Sequence, residues 1–373
     1  MNYSSNSVLQ PFTMNINAVK KLVLFNFEKS PDTIYGGLEL QWLDSPKTGQ
    51  GFRVIAYRTD QYVDVYDDTT LIKQTDEHFE VCGNGLKNYV YTPFTSPCCK
   101  LVVGNLHVHF SFYDYKKRLI EVHLEEHATK PSIPFDLIAP IGVSSEHPTC
   151  LPVFAMYDFD LIRKRHTQVA VTIDGKAMKL DPFPVPLPKD GQMRYFMRYS
   201  CDCELIDFGT KSNKILSLME CENSEANDGQ LLAHYHKTSE QYIMESLTFC
   251  QSNHDFNIYF EKGFPDLLRM KDGTITDYFK MQLSPTMGYF SGHYTVMKKE
   301  NKVTISLIPD EGWTVTPQTF IPKMMLKKDS VFRKWPKSYR YTQTINLNTL
   351  ESSTTWDRID DKCQHVTSAQ DLF

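Results

Sequence analysis

The sequence predicts a mainly β protein, with two antiparallel β-barrel or β-sandwich lobes in tandem and few helices. Three observations lead there. Apolar and polar residues alternate with period two in one segment after another. Aromatics are plentiful, 23 Phe and 20 Tyr among 373 residues, which suits strands and an apolar interior. Tight-turn signals recur between the alternating runs. The length allows two cores. The expected divisions are a loosely held start over residues 1–20, an N-terminal β lobe over 21–181, a proline-rich crossing over 182–190 and a C-terminal β lobe over 191–373.

In chain order, Lys21 to Phe27 reads as the first strand, and Gly36-Gly37 leads into Leu38–Trp42. The run GFRVIAYRTDQYVDVYDD reads as a tight hairpin centred on Asp60, which pairs Ile55 with Val65, Tyr57 with Val63 and Asp64 with Ala56. Asp64 then lies on the side of Val54 and Tyr66, as an edge-strand charge or a pocket acid. His78–Tyr91 is a further strand region, with a turn signal at Gly83-Asn84-Gly85.

The clearest alternation is LHVHFSFYDYKKRLIEVHLEEH, Leu106 to His127. A turn centred on Tyr115 sets Phe110 against Ile120, Val108 against Val122 and Leu106 against Leu124. It also sets His107 against His123 and His109 against Glu121. Opposed Cβ atoms lie about 4.5–5.5 Å apart, close enough to share a proton or a metal ion. That polar face is either solvated, as antiparallel sheets commonly allow, or an enclosed acid–base or metal site.

A proline-punctuated loop follows from Ala128 to Pro152; within it Ser144-Ser145-Glu146-His147 lacks the nucleophile elbow a hydrolase of that type needs. Val153–Ile162 is apolar and aromatic, and Arg163-Lys164-Arg165-His166 is a basic run that suits a solvated strand end or an anion site. VAVTIDGKAMKL has the strongest turn signal, Asp174-Gly175, for a two-residue primed turn. Prolines 182, 184, 186 and 188 force the next segment to be extended, with few backbone donors.

In the second half, Arg194–Phe208 alternates, and Ser239–Cys250 is the best helix candidate, with Ser239 as N-cap. Asn257–Phe260 and Ile275–Leu283 read as strands, and TVMKKENKVTISLI as a hairpin turning at Lys299-Glu300-Asn301. Between Ile321 and Tyr341 lysines and arginines interleave with Trp335, Tyr339 and Tyr341, as either a glycan or surface platform or a charged strand face.

Several classes are disfavoured. Net charge is −5 and pI about 6.2, so no nucleic-acid partner is implied. Glycine loops for nucleotides are absent, and no cofactor is implied. The first 19 residues lack Lys and Arg, so no secretory leader is expected. No apolar run reaches membrane-span length, and a cytoplasmic location is expected. The nine cysteines show no metal-finger spacing and read as free thiols in a reducing compartment. No low-pKa environment can be argued for any of them from sequence alone.

The run AMYDFDLIRKRHTQVAVTIDGKAMKLDPFP resembles the tandem lipocalin-like proteins, the family of carotenoid hydratases and related bacterial cyclases. The shared pattern is an aromatic strand, a basic turn, a valine-rich strand and an Asp-Gly hairpin. The tryptophan-aromatic run of that family is represented near the start only by Trp42, and no catalytic residue is carried over. The resemblance implies a lipocalin-like barrel and a hydrophobic ligand.

The leading expectation is therefore binding of an isoprenoid- or lipid-like molecule, with acid–base conversion by hydration, isomerisation or cyclisation. Asp64 or Glu121 would donate the proton and His107, His109 and His123 would relay it, with Trp42, Tyr57, Tyr66, Phe154 and Tyr157 against the substrate. The alternatives are a metal-dependent enzyme using the His/Glu hairpin, and a non-catalytic glycan- or surface-binding module.

Overall fold

The structure, a computed structural model, describes residues 4–28, 32–73, 84–130, 132–139, 150–181, 193–250, 254–284, 286–314 and 339–359. It is all-β: strands β1 to β27 follow in chain order, and no helix occurs among the described residues. The helix expected at Ser239–Cys250 is instead strand β21 (Tyr242–Phe249). Ile243 and Cys250, counted on the apolar side of that helix, are half-buried and exposed. The buried residues are Tyr242, Met244, Leu247 and Phe249, a period of two interrupted once by a bulge, so hydrogen-bonding neighbours on both sides override the helical spacing.

The chain packs as two units. Of the described residues, one contains 18–137 and 156–205, and the other contains 4–17, 138–155 and 206–359. The segment 182–190 lies outside the described residues. Beyond it, strand β15 (Arg194–Ser200) pairs antiparallel with β3 (Val19–Asn26), so the first unit takes strands from both sides of the prolines. The second unit likewise takes its first residues from the chain start.

The first unit is a pair of sheets. One runs β12 (Leu151–Arg163, of which residues 156–163 belong to this unit), β15, β3, β4 (Tyr35–Ser45), β5 (Gly49–Arg58), β6 (Val63–Asp67) and β7 (Leu86–Tyr91), antiparallel except for the parallel β6–β7 pair. The other runs β14 (Lys176–Ala177), β13 (Thr167–Ile173), β10 (Leu119–Glu126), β9 (Asn105–Tyr113) and β8 (Thr95–Val102). Their apolar faces meet in one core that includes Phe25, Leu38, Val54 and Tyr66 from the first sheet and Val108, Phe110, Phe112 and Val122 from the second. Phe25 and Phe110 pack edge to face with ring centroids 6.4 Å apart. Each such fully buried side chain contributes roughly 1.5–3 kcal/mol. Asp174-Gly175 forms the expected primed turn, with φ of 52° and 72° at its two residues.

In the second unit, β19 (Glu225–Asn227), β20 (Leu231–Lys237), β21, β22 (Phe256–Phe264), β23 (Gly273–Gln282), β24 (Tyr289–Lys299), β25 (Lys302–Thr314), β26 (Tyr339–Asn346) and β27 (Glu351–Arg358) each pair with the next, and β17 (Ser212–Ile215) joins β27. This meander forms a curled sheet. Alternate residues such as Phe279, Met281, Phe290, Tyr294, Val303, Leu307 and Tyr341 are buried on its inner side. Tyr339 and Tyr341 are therefore core residues, and Trp335 lies outside the described residues.

At the bulge between Ser291 and His293, a Cβ on Gly292 would run into the backbone carbonyl of Ile308. That obstacle is backbone of the neighbouring strand and cannot rotate away. Gly292→Ala is expected to cost about 2–3 kcal/mol by overpacking. A urea unfolding curve with an unchanged midpoint would refute the close approach.

Candidate functional site

The Leu106–His127 hairpin keeps its predicted faces but not its predicted partners. Tyr113 pairs with Leu119, so the turn centres on Lys116, and the register is shifted by two residues. The cause is Asp114, whose Oδ1 accepts the backbone N–H groups of Lys116 and Arg118 at 2.8 and 2.9 Å and closes the chain one residue later than the apolar pattern alone suggests. His109 now faces His123, His107 faces Glu125, and Glu121 faces Ser111.

Because a shift of two preserves parity, Leu106, Val108, Phe110, Val122 and Leu124 still enter the core. The polar face is outward: His109 and Glu121 are exposed, His107 is half-exposed, and the side chains of His123 and Glu125 are 42% and 39% accessible. Among the described residues no group of three or more His, Cys, Asp or Glu side chains could hold a metal ion. This face is that of a scaffold strand pair. Threonine at His107, His109 and His123 is expected to change unfolding free energy by under about 0.5 kcal/mol per site, as read in chemical denaturation.

Asp64 sits in the predicted register opposite Ala56 and is fully buried. Its Oδ2 accepts the Tyr35 hydroxyl at 2.9 Å and the Arg58 guanidinium at 3.0 Å, and its Oδ1 accepts the Asn88 amide at 2.7 Å. The Tyr35 and Tyr66 hydroxyls share a 2.6 Å hydrogen bond, and the Tyr115 N–H donates to Tyr66 at 3.3 Å. The chain of hydroxyls thus runs from a paired carboxylate to the edge of the aromatic core, where Tyr66 packs 4.8 Å from Phe112.

Burial, with Tyr66 and the Asp64 carboxylate nearby, pushes the Tyr35 phenol far up, and burial raises Tyr66 as well. Neither hydroxyl can release a proton near neutral pH. Every acceptor direction used on Asp64 is taken by a protein donor, so this network orients and seals rather than donates. Beside it, Arg118 bonds Asp32 at 2.9 Å and Asp114 at 2.8 Å, which ties the hairpin turn to the chain before β4.

The remaining predicted residues do not converge on one place. Trp42 packs edge to face on Phe52 against the first unit's core, with centroids 4.7 Å apart. Tyr57 lies on the other face of that sheet, where its hydroxyl donates to the buried Glu39 at 2.8 Å. There the buried guanidinium of Arg198 is pushed down to about 10 by burial. Phe154 and Tyr157 are both buried in β12, but they belong to different units. Ser144 to His147 lie outside the described residues.

Several buried acids were missed, Glu126 and Asp277 among them. Glu126 points into the first unit, where the Arg163 Nη2 and Nε donate to it at 2.7 and 3.2 Å and the N–H groups of Leu106 and Arg163 at 3.0 Å. Arg163 is thus an interior ion-pair partner rather than part of a solvated basic end. Asp277 lies on β23 with the parity of Phe279 and Met281, a signal readable from the sequence as an acid on the apolar side of a strand.

The neighbourhood of Asp277 is formed by an irregularity in β22. Between the β21 pairings of Tyr259 and Phe264 the strand bulges, with Gly263 at φ 90°. Such bulges re-aim side chains and cluster near sites. Asp277 Oδ2 caps this one by accepting the Lys262 N–H at 2.7 Å. Its Oδ1 has no hydrogen-bond partner among the described residues, although the residue is only 4% exposed. Tyr294, its cross-strand neighbour, donates to the Gly263 carbonyl at 2.8 Å, and burial together with the Asp277 charge raises its phenol. Phe260, Phe264 and Tyr294 lie 5.2–5.5 Å apart, with Phe12 5.2 Å from Phe264. The result is a buried carboxylate oxygen without a partner among the described residues, beside an aromatic cluster on the inner face of the sheet.

No helix among the described residues is long and apolar enough to cross a membrane. No protein-family model, curated protein or solved structure matches this chain.

Proposed function

We propose that the second unit binds a hydrophobic small molecule carrying one hydrogen-bond donor, an isoprenoid- or lipid-like alcohol, with its body on the aromatic inner face and its donor on Asp277 Oδ1. One observation carries this reading: a buried carboxylate oxygen left without a partner among the described residues. Buried polar atoms are nearly always satisfied, and an exception fits a group supplied from outside the chain, a bound water, an ion or a ligand donor. The Phe260, Phe264 and Tyr294 cluster beside it suits an apolar ligand, since sites for such molecules combine aromatic side chains with a few placed polar atoms. The same carboxyl is the group that hydration, isomerisation or cyclisation of an isoprenoid would need, with ring faces able to stabilise a cation. This reading keeps the lipocalin-like expectation of an enclosed β interior and moves the acid from Asp64 to Asp277.

Tryptophan fluorescence titration with geranylgeraniol and with a hydrocarbon of the same chain length tests it. The alcohol is expected to bind roughly tenfold or more tightly than the hydrocarbon, and Asp277→Asn to weaken the alcohol by about 10- to 100-fold. Equal affinities for the two ligands, or no saturable binding of either, would overturn it.

A further inference from the structure

One end of the first unit gathers apolar side chains that its interior does not use. Strands β8 and β9 close there in a two-residue turn, Val103-Gly104, between the paired Val102 and Asn105. Both turn residues are left-handed, with φ of 50° at Val103 and 72° at Gly104. Such primed turns favour Asn-Gly, and a β-branched residue at positive φ is an outlier. Val103 nevertheless stands there with 96% of its surface accessible, and Val102 and Leu101 before it are exposed as well. The valine strains the turn and buries nothing within the chain, so its position calls for a partner outside the chain.

Arg163 ties together the segments around this turn. Its Nη2 donates to the Gly104 carbonyl at 3.2 Å and to Asn105 Oδ1 at 2.9 Å, and its Nη1 donates to the Lys130 carbonyl at 3.1 Å. Asn105 also exchanges hydrogen bonds with the backbone of Ala128, at 2.9 and 3.3 Å. Arg163 pairs with Arg194 across β12 and β15, and Arg194 Nη2 donates to the Ser132 hydroxyl at 3.4 Å. The Lys164 N–H donates to the Met193 carbonyl at 2.9 Å, and the His127 N–H to the His166 carbonyl at 2.6 Å. Ile133, 75% accessible, and the exposed Met193 thus stand at the same end as the β8–β9 turn. Set among them are the exposed Lys100, Lys130 and Arg165 and the half-buried Lys164. Of the acids nearby, Glu126 is held by Arg163 and Asp160 by Arg194 at 3.6 Å, and Glu125 lies 3.5 Å from His127. Lys164 and Arg165 are what the basic run keeps near the surface once Arg163 has turned inward.

We propose that this end docks on the surface of an anionic lipid bilayer. Val103, Val102, Leu101 and Ile133 enter the headgroup and upper acyl region, and Lys100, Lys130, Lys164 and Arg165 meet the lipid phosphates and carboxylates. The mixture of residues selects this partner. Protein interfaces are depleted in lysine, whereas exposed apolar side chains set among lysines and arginines suit an anionic leaflet. Each basic residue at such a surface adds roughly fivefold in affinity. The apolar side chains add to this by leaving water. The attachment is peripheral and reversible.

Sedimentation of the full chain with large unilamellar vesicles tests this. Binding to equimolar phosphatidylserine and phosphatidylcholine is expected to be at least about tenfold tighter than to phosphatidylcholine alone, and to weaken as salt rises. Val103→Asn changes no charge and suits the turn, so its urea unfolding midpoint should not fall. It should nevertheless weaken vesicle binding by about three- to tenfold. Lys130→Glu with Arg165→Glu should weaken binding to the phosphatidylserine vesicles by about 25-fold or more. Ile215→Asn, the same kind of change at an exposed site on β17 of the second unit, should bind as the wild type does. The proposal is overturned by absence of sedimentation with phosphatidylserine vesicles, by equal binding to both vesicle types, or by wild-type binding in Val103→Asn. An equal loss in Ile215→Asn, or a protein partner captured through Val103 without vesicle binding, overturns it too. Should the charge variant fail to fold, Val103→Asn decides alone.

Discussion

Replacing Arg163 with methionine is expected to destabilise the first unit by about 3–5 kcal/mol, because it leaves the Glu126 carboxylate buried without its counter-charge. The guanidinium makes more than the ion pair: its Nη1 and Nη2 also donate to the carbonyls of Lys130 and Gly104 and to Asn105 Oδ1. Removing it therefore unties the start of β9, the end of β10 and the end of β12 together. The double variant Glu126→Gln with Arg163→Met removes the lone charge and keeps an acceptor for one of the two N–H groups, Leu106 on Oε2 or Arg163 on Oε1. It is expected to recover roughly half of the loss, since the penalty lies mainly in the uncompensated ion. Urea unfolding of the three proteins reads this out, and a single-variant cost below about 1 kcal/mol would show that the pair is not held as described.

The same pair sets an acid limit. Burial pushes the Glu126 carboxyl up, but the Arg163 guanidinium and the two backbone N–H donors outweigh it and hold the group below its ordinary value of 4.5. A depressed carboxyl contributes stability that is fully present above its unfolded value and is lost as pH falls through its folded one. Stability of the wild type should thus decline below about pH 4.5. In the double variant this component of the decline should be absent.

Asp277→Asn is expected to act in the opposite direction, raising the stability of the unliganded protein by about 1–2 kcal/mol while weakening ligand binding. Asparagine can still accept the Lys262 N–H and keep the bulge, but it carries no charge to leave unpaired. Asp277→Ala loses that cap as well and should destabilise by about 1–2 kcal/mol. A ligand near 100 times its dissociation constant should add about 2.7 kcal/mol to the wild type, and much less to Asp277→Asn at the same concentration. A loss of stability in Asp277→Asn would mean that the carboxylate is satisfied, and the binding proposal would lose its support.

What the chain determines by itself is local. Period-two patterning sets the two faces of the Leu106–His127 hairpin, and the Asp174-Gly175 pair sets a primed turn, since both depend only on neighbours in sequence. The Val54–Tyr66 hairpin register follows from its short turn in the same way. Tertiary structure decides everything that needs a partner from a distant segment. Tyr35 and Asn88 turn Asp64 from a candidate acid into a satisfied ion. A polar strand face becomes scaffold or site according to what covers it, and alternation is the same in both cases, so the histidines of the hairpin could not be assigned before their exposure was known. Neighbouring strands likewise convert the Tyr242–Phe249 segment from helical spacing to a ladder.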